Sequence, residues 1–275
     1  MKILETKLDI GIEKPFRIIH ISDTHLTYAD MRDGERKVKM AKERGSVHFP
    51  HADSILEFAC NKAKEMGVPI VHTGDLIDFV SLANLEKAKD IIDNNDIFLA
   101  AGNHEFSLYL GEEKEDAAYR NRSLKAVQAS FKNDIRMCSR VIGGVNFVAV
   151  DDGYYLFEKE QLDFLKKECE KGLPIILLLH VPLYDRALYD FMMERAGCGF
   201  LTGVPEELLK VYPPHLAESH KADSITLETI EYIKGQTMIK ALITGHIHRT
   251  YDGVFNHNVP QITTACTDIR IIEIQ

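Results

Sequence analysis

Five short apolar runs are spaced along the chain, and each ends at a glycine or a polar residue. They cover residues 16–22, 68–73, 97–101, 174–179 and 240–244. Apolar runs of this length, bounded by turn-forming residues, are typical of buried strands. The pattern therefore predicts a sheet built largely from buried strands.

Other segments have the i, i+3, i+4 spacing of apolar residues that is typical of amphipathic helices. A first helix is predicted over 53–67, with Asp53 and Ser54 as its N-terminal cap, a second over 81–94 and a third over 158–171. In the second helix, the residues predicted to face inward are Leu82, Leu85, Ala88 and Ile92. Two strand–helix units in series favour a sheet with right-handed crossovers.

The rest of the chain carries weaker signals. Residues 1–10 alternate loosely and predict an edge strand, and residues 135–151 predict a hairpin that turns at Gly143–Gly144. Shorter helical segments are predicted at 205–212 and 225–234, and strands at 261–264 and 269–274.

In three stretches the apolar residues lack the regular spacing of a helix or strand that packs on a core: 29–50, 106–123 and 184–235. The first is basic and is predicted to be a surface excursion overhanging the functional end of the strand before it. The second holds the acidic cluster 112–116, then Arg120 and Arg122, and predicts a solvated helix face. The third is too long for a simple crossover, so we expect helical segments lying over the rim of the site. We predict one domain, 1–275, with insertions at 29–50 and 184–235.

Composition describes an ordinary globular protein: 275 residues, 45% hydrophobic and 27% charged, with a formal net charge of -9. The acidic balance disfavours bulk binding to nucleic acid or to an anionic membrane. The most apolar stretch, 173–183, is much shorter than the roughly 20 residues that a membrane-spanning helix needs. An acidic N-terminus argues against a secretory signal, and five dispersed cysteines without a C-x-x-C pair favour reduced thiols. We therefore expect a cytoplasmic protein.

Candidate chemistry is concentrated where the five apolar runs end. The residues there are Asp23, His25, Asp75, Asn103, His104, His180, His246 and His248. In an open α/β sheet, ligands bind at the carboxyl ends of the strands. The sequence therefore predicts that these side chains lie around one site.

The donor types indicate metal binding. Asp23-x-His25 and His246-x-His248 each place two donors two residues apart, and in an extended segment such residues point the same way. The carboxylate of Asp75 can bridge two cations, and a pair of metals about 3.5–4 Å apart can hold a hydroxide and neutralise a phosphoryl group. Carboxylate, amide and imidazole donors without a thiolate suit iron, manganese or zinc better than calcium.

In order, these segments resemble the five motifs of the calcineurin-like metallophosphoesterases, from residue 16 to about 250. The matching motifs are Asp23-x-His25, Gly74-Asp75-x-x-Asp78, Gly102-Asn103-His104-Glu105, His180 and Gly245-His246-x-His248. The resemblance implies an α/β fold, a four-layer αββα sandwich of two mixed β-sheets flanked by helices.

The resemblance also implies roles for these residues. One metal would be held by Asp23, His25, Asp75 and His248, and the other by Asp75, Asn103, His180 and His246. A metal-bound hydroxide would attack phosphorus in line. His104 would protonate the departing oxygen as a general acid, and Asp78 would orient His104.

The expected function is two-metal-dependent hydrolysis of a small phosphodiester or phosphomonoester. Phe79-Val80 follows Asp78 where serine/threonine protein phosphatases continue with Arg-Gly, so this sequence departs from that branch. The alternatives that stay open are a nuclease, a protein phosphatase, or a catalytically silent binding scaffold of the same fold.

For the other polar residues we expect roles outside the set of proposed metal ligands. Within apolar runs, His20 and His72 are predicted to be hydrogen-bonded core residues. Surface positions are predicted for His48, His51, His215, His220 and His257. Glu105 suits either support of the site or a role in contact with solvent or in capping the backbone. The residues that could contact a substrate phosphate are Arg32, Arg36 and Arg249.

Overall fold

The computed structural model describes residues 1–110, 116–256 and 258–275. Its strands are β1 (Ile3–Leu8), β2 (Phe16–Ile21), β3 (Ile70–His72), β4 (Ile97–Leu99), β5 (Met137–Ile142), β6 (Val145–Val150), β7 (Ile175–Leu178), β8 (Ile239–Thr244), β9 (Tyr251–Phe255), β10 (Val259–Thr263) and β11 (Ile269–Ile274). Its α-helices are α1 (Glu35–Glu43), α2 (Ala52–Met66), α3 (Leu82–Asn94), α4 (Ala117–Gln128), α5 (Lys159–Glu170), α6 (Arg186–Ala196), α7 (Glu206–Leu209), α8 (Pro214–Ser219) and α9 (Ser224–Gly235).

The strands form two mixed sheets. The first has the order β1-β11-β2-β3-β4, and the second has the order β5-β6-β7-β8-β10-β9. The motif strands β2, β3 and β4 are parallel neighbours in the first sheet, and β7 and β8 are parallel neighbours in the second. As a result, their carboxyl ends point towards common edges. Strand β1 lies at an edge, as predicted.

The two sheets pack face to face over an apolar core. Ile18 and Phe98 of the first sheet belong to the same buried cluster as Phe147, Ile176 and Ile243 of the second. On the outer faces, α2, α3 and α4 cover the first sheet, whereas α5 and α9 cover the second. The fold is the predicted four-layer αββα sandwich.

Helix ends follow local sequence in most places. The hydroxyl of Ser81 accepts the N–H of Asn84 at the start of α3, and Gly67 ends α2 with a φ of 65°. The Asp53–Ser54 cap is wrong, because α2 begins at Ala52 and His51 occupies the cap position without a side-chain hydrogen bond. The inward assignment of Leu82 is also wrong, because this first helical residue is 50% exposed.

The two insertion segments contain more helix than the sequence predicted. Residues 29–50 contain α1 and a π-helical turn, Arg44–His48. These segments were not predicted because they are largely polar, so their apolar residues lack the regular spacing of a helix that packs on a core. Residues 184–235 hold α6 and α8 in addition to the predicted helical segments. This second insertion has a small apolar cluster of its own, which also contacts Ile247 of the site.

The acidic stretch at 106–123 is only partly described, because residues 111–115 lie outside the described ranges. Its prediction as a solvated helix face is wrong at Arg120. That side chain is 5% exposed and pairs with the carboxylates of Asp151 and Glu158, so α4 buries a cation instead of solvating it. In the ranges that are described, none of the helices is long and apolar enough to cross a bilayer.

Candidate metal centre

The loops after β2, β3, β4, β7 and β8 bring the predicted ligands together. Asp75 Oδ2 lies 3.2 Å from His180 Nε2 and 3.7 Å from His25 Nε2. Asp23 Oδ1 lies 3.4 Å from His248 Nε2. Among the described residues, three groups have ligand atoms within 4.8 Å of one another: Asp23, His25, Asp75 and His248; Asp75, His180 and His246; and His25, Asp78 and His104. Asp75 belongs to the first two groups, which contain the predicted ligands.

Asn103 completes the second group. Its Oδ1 is buried without a hydrogen-bond partner among the described residues, and Asn103 lines the same cavity as Asp75 and His246. Leaving a buried polar oxygen unsatisfied costs about 1–3 kcal/mol. A cation beside this oxygen would remove that cost, so the orphaned amide fits a metal ligand.

Two pairs of imidazole nitrogens face each other. His25 Nε2 lies 3.1 Å from His248 Nε2, and His180 Nε2 lies 3.2 Å from His246 Nδ1. Lone pairs at this distance repel unless a proton or cation sits between them. Nitrogens bound to one ion at about 2.1 Å are roughly 3.0–3.4 Å apart, so each pair fits the edge of a coordination shell. The residues present therefore fit the two metal ions that the sequence implied.

The loops that carry these donors are left-handed rather than extended. Positive φ angles occur at Asp23 (54°), His25 (50°), Asp75 (57°), His246 (67°) and His248 (52°). The expectation that i and i+2 donors converge because the backbone is extended is therefore wrong. Backbone hydrogen bonds hold the strained loops, from Asp23 N–H to Gly74 O and from His25 N–H to Asp75 O, both at 2.9 Å. Strained backbone of this kind is concentrated at functional sites.

Glu105 and Gly102 hold two of these loops together. The carboxylate of Glu105 accepts the N–H groups of Gly102 (2.6 Å), Asp75 (2.7 Å) and Leu76 (2.7 Å). Burial, together with the charge of Asp75, raises the pKa of Glu105 to about 7. A Cβ at Gly102 would overlap Asp75 Oδ1, so the close approach of the loops requires glycine there. Of the two expectations for Glu105, the contacts favour backbone capping.

Hydrogen bonds set the proton positions of three imidazoles. His25 donates Nδ1–H to Asp78 Oδ1 at 3.0 Å, and His180 donates Nδ1–H to the carbonyl of Thr73 at 2.7 Å. Both rings therefore present an Nε2 lone pair to the site. His104 donates Nδ1–H to the backbone carbonyl of Asp78 at 2.7 Å.

The pKa of His104 reflects opposing effects. Burial lowers it, but the charge of Asp75 and the hydrogen bond with Asp78 raise it more, to about 10 in the metal-free protein. Cations beside Asp75 would neutralise that charge and lower the pKa towards the neutral range. The ring is thus placed to hold a proton that it can release.

Asp78 has more partners than the sequence suggested. Its carboxylate accepts hydrogen bonds from Arg44 Nε at 2.7 Å and from a terminal nitrogen of Arg44 at 2.8 Å. It also accepts the hydrogen bond from His25. Its Oδ1 is 3.3 Å from His104 Nδ1, farther than its own carbonyl oxygen. Burial raises the pKa of Asp78, but the hydrogen bonds from Arg44, His104 and His25 hold it well below the usual range. Asp78 is therefore a carboxylate that supports two imidazoles.

Sequence reasoning missed several residues at the site. Arg44 and Phe49 come from the first insertion, and the ring of Phe49 stacks on His25 with 3.9 Å between centroids. Asp152 accepts the N–H groups of His180 and Val181, both at 3.0 Å. A signal existed for Asp152, because Asp151-Asp152-Gly153 follows the apolar strand β6 just as the recognised motifs follow theirs. No such signal marked Arg44 or Phe49.

The cavity beside these donors has a volume of about 330 Å³. Met192, Ala196 and Phe200 of the second insertion form part of its wall, and Arg249 forms another part. The first insertion thus contacts His25, and the second lines the space in front of the donors, where the ring of Phe200 lies edge-on to that of His246.

The remaining predicted positions fall as follows. His20 and His72 are buried and hydrogen-bonded to Thr73 and Thr24, as predicted. Of the histidines predicted at the surface, His48, His51 and His215 are exposed, and His257 lies outside the described residues. The surface prediction for His220 is wrong, because helix α8 turns it inward and leaves it 1% exposed. Arg32 pairs with Asp30 and Glu86, and Arg36 lies over the ring of Tyr109.

The overall fold is similar to folds of known proteins. Among solved structures, a dimetal phosphatase from Danio rerio is similar, with a TM-score of 0.51 and 15% identity over 91% of this chain and 87% of that one. A phosphopantetheinyl hydrolase from Mycobacterium tuberculosis has a TM-score of 0.48 and 11% identity, covering 91% and 89% of the two chains. A search among curated proteins finds no match. Likeness at these identities shows the fold alone.

The sequence model of the calcineurin-like phosphoesterases matches residues 16–250. The matched region spans all the candidate ligands and the strands that precede them, β2, β3, β4, β7 and β8. Because the match covers most of its length, this chain belongs to the calcineurin-like phosphoesterase family.

Proposed function

We propose that this protein hydrolyses small phosphoesters with the help of two bound metal ions. The observation that carries the proposal is the position of Asp75 between two donor groups, beside the orphaned Oδ1 of Asn103. The ligands proposed for one ion are Asp23, His25, Asp75 and His248, and those for the other are Asp75, Asn103, His180 and His246. The donor chemistry favours manganese, iron or zinc.

The charges of the donors suit a phosphate substrate. When bound, such a metal pair neutralises a phosphoryl group and makes water a stronger nucleophile. Only Asp23 and Asp75 of the proposed ligands carry negative charge, since the other donors are neutral imidazoles and an amide. Two divalent cations would therefore leave the centre net positive and attractive to a phosphate.

His104 is the proposed proton donor to the departing oxygen. Its Nδ1–H is held by the carbonyl of Asp78, and its Nε2 has no hydrogen-bond partner within the described residues. The side chain is 19% exposed and lines the cavity, so a substrate can reach it. This placement supports general acid catalysis, with Asp78 as its positioning residue.

The shape of the site supports a small substrate. A cavity of about 330 Å³ is at the lower end for small-molecule sites. Met192 and Phe200 narrow it, and the net charge of -9 gives no general attraction for a polyanion. All five cysteines are free, which supports the proposed cytoplasmic location. Nuclease and protein phosphatase activities are correspondingly disfavoured.

Removal of the metals tests the proposal. Protein treated with a chelator and then desalted should lose at least about a hundredfold of its activity on 4-nitrophenyl phosphate and its bis ester, because charge neutralisation is worth several kcal/mol. Added manganese should restore it. Full activity in protein that retains no metal would contradict the proposal. The ratio of the two rates distinguishes monoesterase from diesterase activity.

Arg249 is proposed to contact the substrate phosphate. Arg249 lines the cavity, and its guanidinium has no ion-pair partner among the residues that the structure describes. We expect Arg249→Ala to raise KM for the dianionic monoester about tenfold and for the monoanionic diester less, because charged hydrogen bonds are worth about 1.5–3 kcal/mol. Arg186→Ala, which removes a surface pair with Asp190, is the control. Unchanged KM for both esters would exclude this contact.

A further inference from the structure

The second insertion reaches the proposed metal ligands through a stack of rings. The ring of His220 lies over that of Tyr155, with 3.9 Å between centroids and 30° between planes. Tyr155 Oη lies 2.7 Å from His246 Nε2. The other ring nitrogen of His246 faces His180, 3.2 Å away. A chain of contacts thus connects α8 to the cavity.

His220 is a fixed and uncharged part of this stack. It is 1% exposed and donates Nδ1–H to the carbonyl of Leu216 at 2.8 Å. The rings of Phe200 and Tyr212 surround it, with centroids 5.9 and 5.5 Å away. Burial lowers its pKa to about 4, so the ring is neutral at physiological pH. No charge is needed for its contact with Tyr155.

The backbone also holds Tyr155 in place. Its φ is 63°, and its N–H donates to the carbonyl of Asp152 at 2.8 Å. The carboxylate of that same Asp152 accepts the N–H groups of His180 and Val181. One turn therefore positions both Tyr155 and the loop that carries His180.

The hydrogen bond with Tyr155 holds the ring of His246 in one orientation. His25 and His180 each donate to an oxygen that can only accept, a carboxylate and a backbone carbonyl, so their tautomers are determined. The partner of His246 is a phenol, which can donate or accept. With its Nδ1 lone pair directed to a cation shared with His180, His246 carries its proton on Nε2 and donates it to Tyr155 Oη. That arrangement requires the phenol to stay in place.

We propose that Tyr155, held by the ring of His220, is a positioning residue that orients His246, stabilises its Nε2–H tautomer and so strengthens one of the two metal sites. The affected site is the one that His246 shares with His180, Asp75 and Asn103. The proposal rests on the proposed function only in requiring that His246 binds a cation. It gives the second insertion a role in metal affinity as well as in shaping the cavity.

Metal titration of Tyr155→Phe tests this role without an activity measurement. Manganese added to metal-free wild-type protein should bind in two steps, followed by calorimetry and equilibrium dialysis. In Tyr155→Phe, we expect one step to weaken about tenfold or more while the other is unchanged, since loss of a partner of a ligating histidine typically costs 10–100-fold in affinity. The melting temperature of the metal-free variant should equal that of wild type. Tyr232→Phe, on α9 and against Cys169, should bind both equivalents normally.

His220 provides the second arm of the test. His220→Ala should weaken the same step, and the double variant should be no worse than Tyr155→Phe alone, because both changes act through one contact. His220→Phe keeps an aromatic ring and should recover most of the affinity.

Two results would overturn the inference: a Tyr155→Phe protein that binds both manganese ions like wild type, or one in which both steps weaken together with a lower melting temperature. The first removes the proposed role, and the second shows a general structural defect. Wild-type protein that binds no manganese would instead overturn the proposed function, and this inference with it.

Discussion

Replacing Asp75 with asparagine is expected to lower kcat at least about a thousandfold, which corresponds to roughly 4 kcal/mol of transition-state stabilisation. Manganese bound per chain should fall from two to one or none. Asp75 is 1% exposed, and among the described residues only its carboxylate belongs to both proposed ligand groups. Asparagine keeps the shape but removes the charge, and it leaves one oxygen where two metal ions each need one.

The structure explains why this variant should still fold. Asp75 Oδ1 accepts the N–H of His104 at 2.9 Å, and an asparagine oxygen can accept the same hydrogen bond. Its amide group would then face His180 Nε2, where the carboxylate now lies 3.2 Å away. Asp163→Asn, which disturbs only a surface pair with Lys159, is the matched control. An Asp75→Asn protein with two bound metal ions and normal turnover would refute the bridging role.

Replacing His104 with alanine is expected to lower kcat about 10²–10⁴-fold for an alkyl phosphoester, the usual contribution of a general acid. The loss should be much smaller for a 4-nitrophenyl ester, because 4-nitrophenolate leaves without needing a proton. Metal content should not change, since His104 is outside both proposed ligand groups and its ring is held by Asp78. Steady-state kinetics with the two esters, together with metal analysis, measure each of these effects.

Comparing the alkyl ester with the 4-nitrophenyl ester distinguishes proton donation by His104 from its other possible effects. His215→Ala is the control, since His215 is exposed and away from the cavity. If His104→Ala slowed both esters equally, the ring would act on binding or on phosphorus rather than on the departing oxygen. Loss of a metal ion in this variant would contradict the role in a different way, by making His104 a ligand.

The sheet and the position of the site could be predicted from sequence because both depend on local patterns. Continuous apolar runs specify buried strands, and the donors follow those runs within a few residues, as at Asp23 and His180. Parallel pairing then brings the strand ends to one edge. The hairpin at Gly143–Gly144 was equally local, since both glycines adopt the positive φ that the turn requires.

The residues that were missed depend on tertiary packing. Arg44 meets Asp78 only because α1 and its π-helical turn fold back over the site. His220 becomes buried only because the second insertion forms its own small core. The sequence around these residues is polar, like that of a surface segment, and its apolar residues have no regular spacing that would indicate these contacts. Left-handed geometry at Asp23 and His25 was missed for a different reason, since a positive φ is uncommon at any residue other than glycine and no local pattern marks it.

The most direct test of the central claim is a crystal structure of the manganese-loaded protein with anomalous scattering measured at the manganese edge. The account predicts two anomalous peaks on either side of the Asp75 carboxylate. The first would lie among Asp23, His25 and His248, and the second among Asn103, His180 and His246. Fully loaded protein with no peak beside Asp75, or with manganese bound only elsewhere, would contradict it.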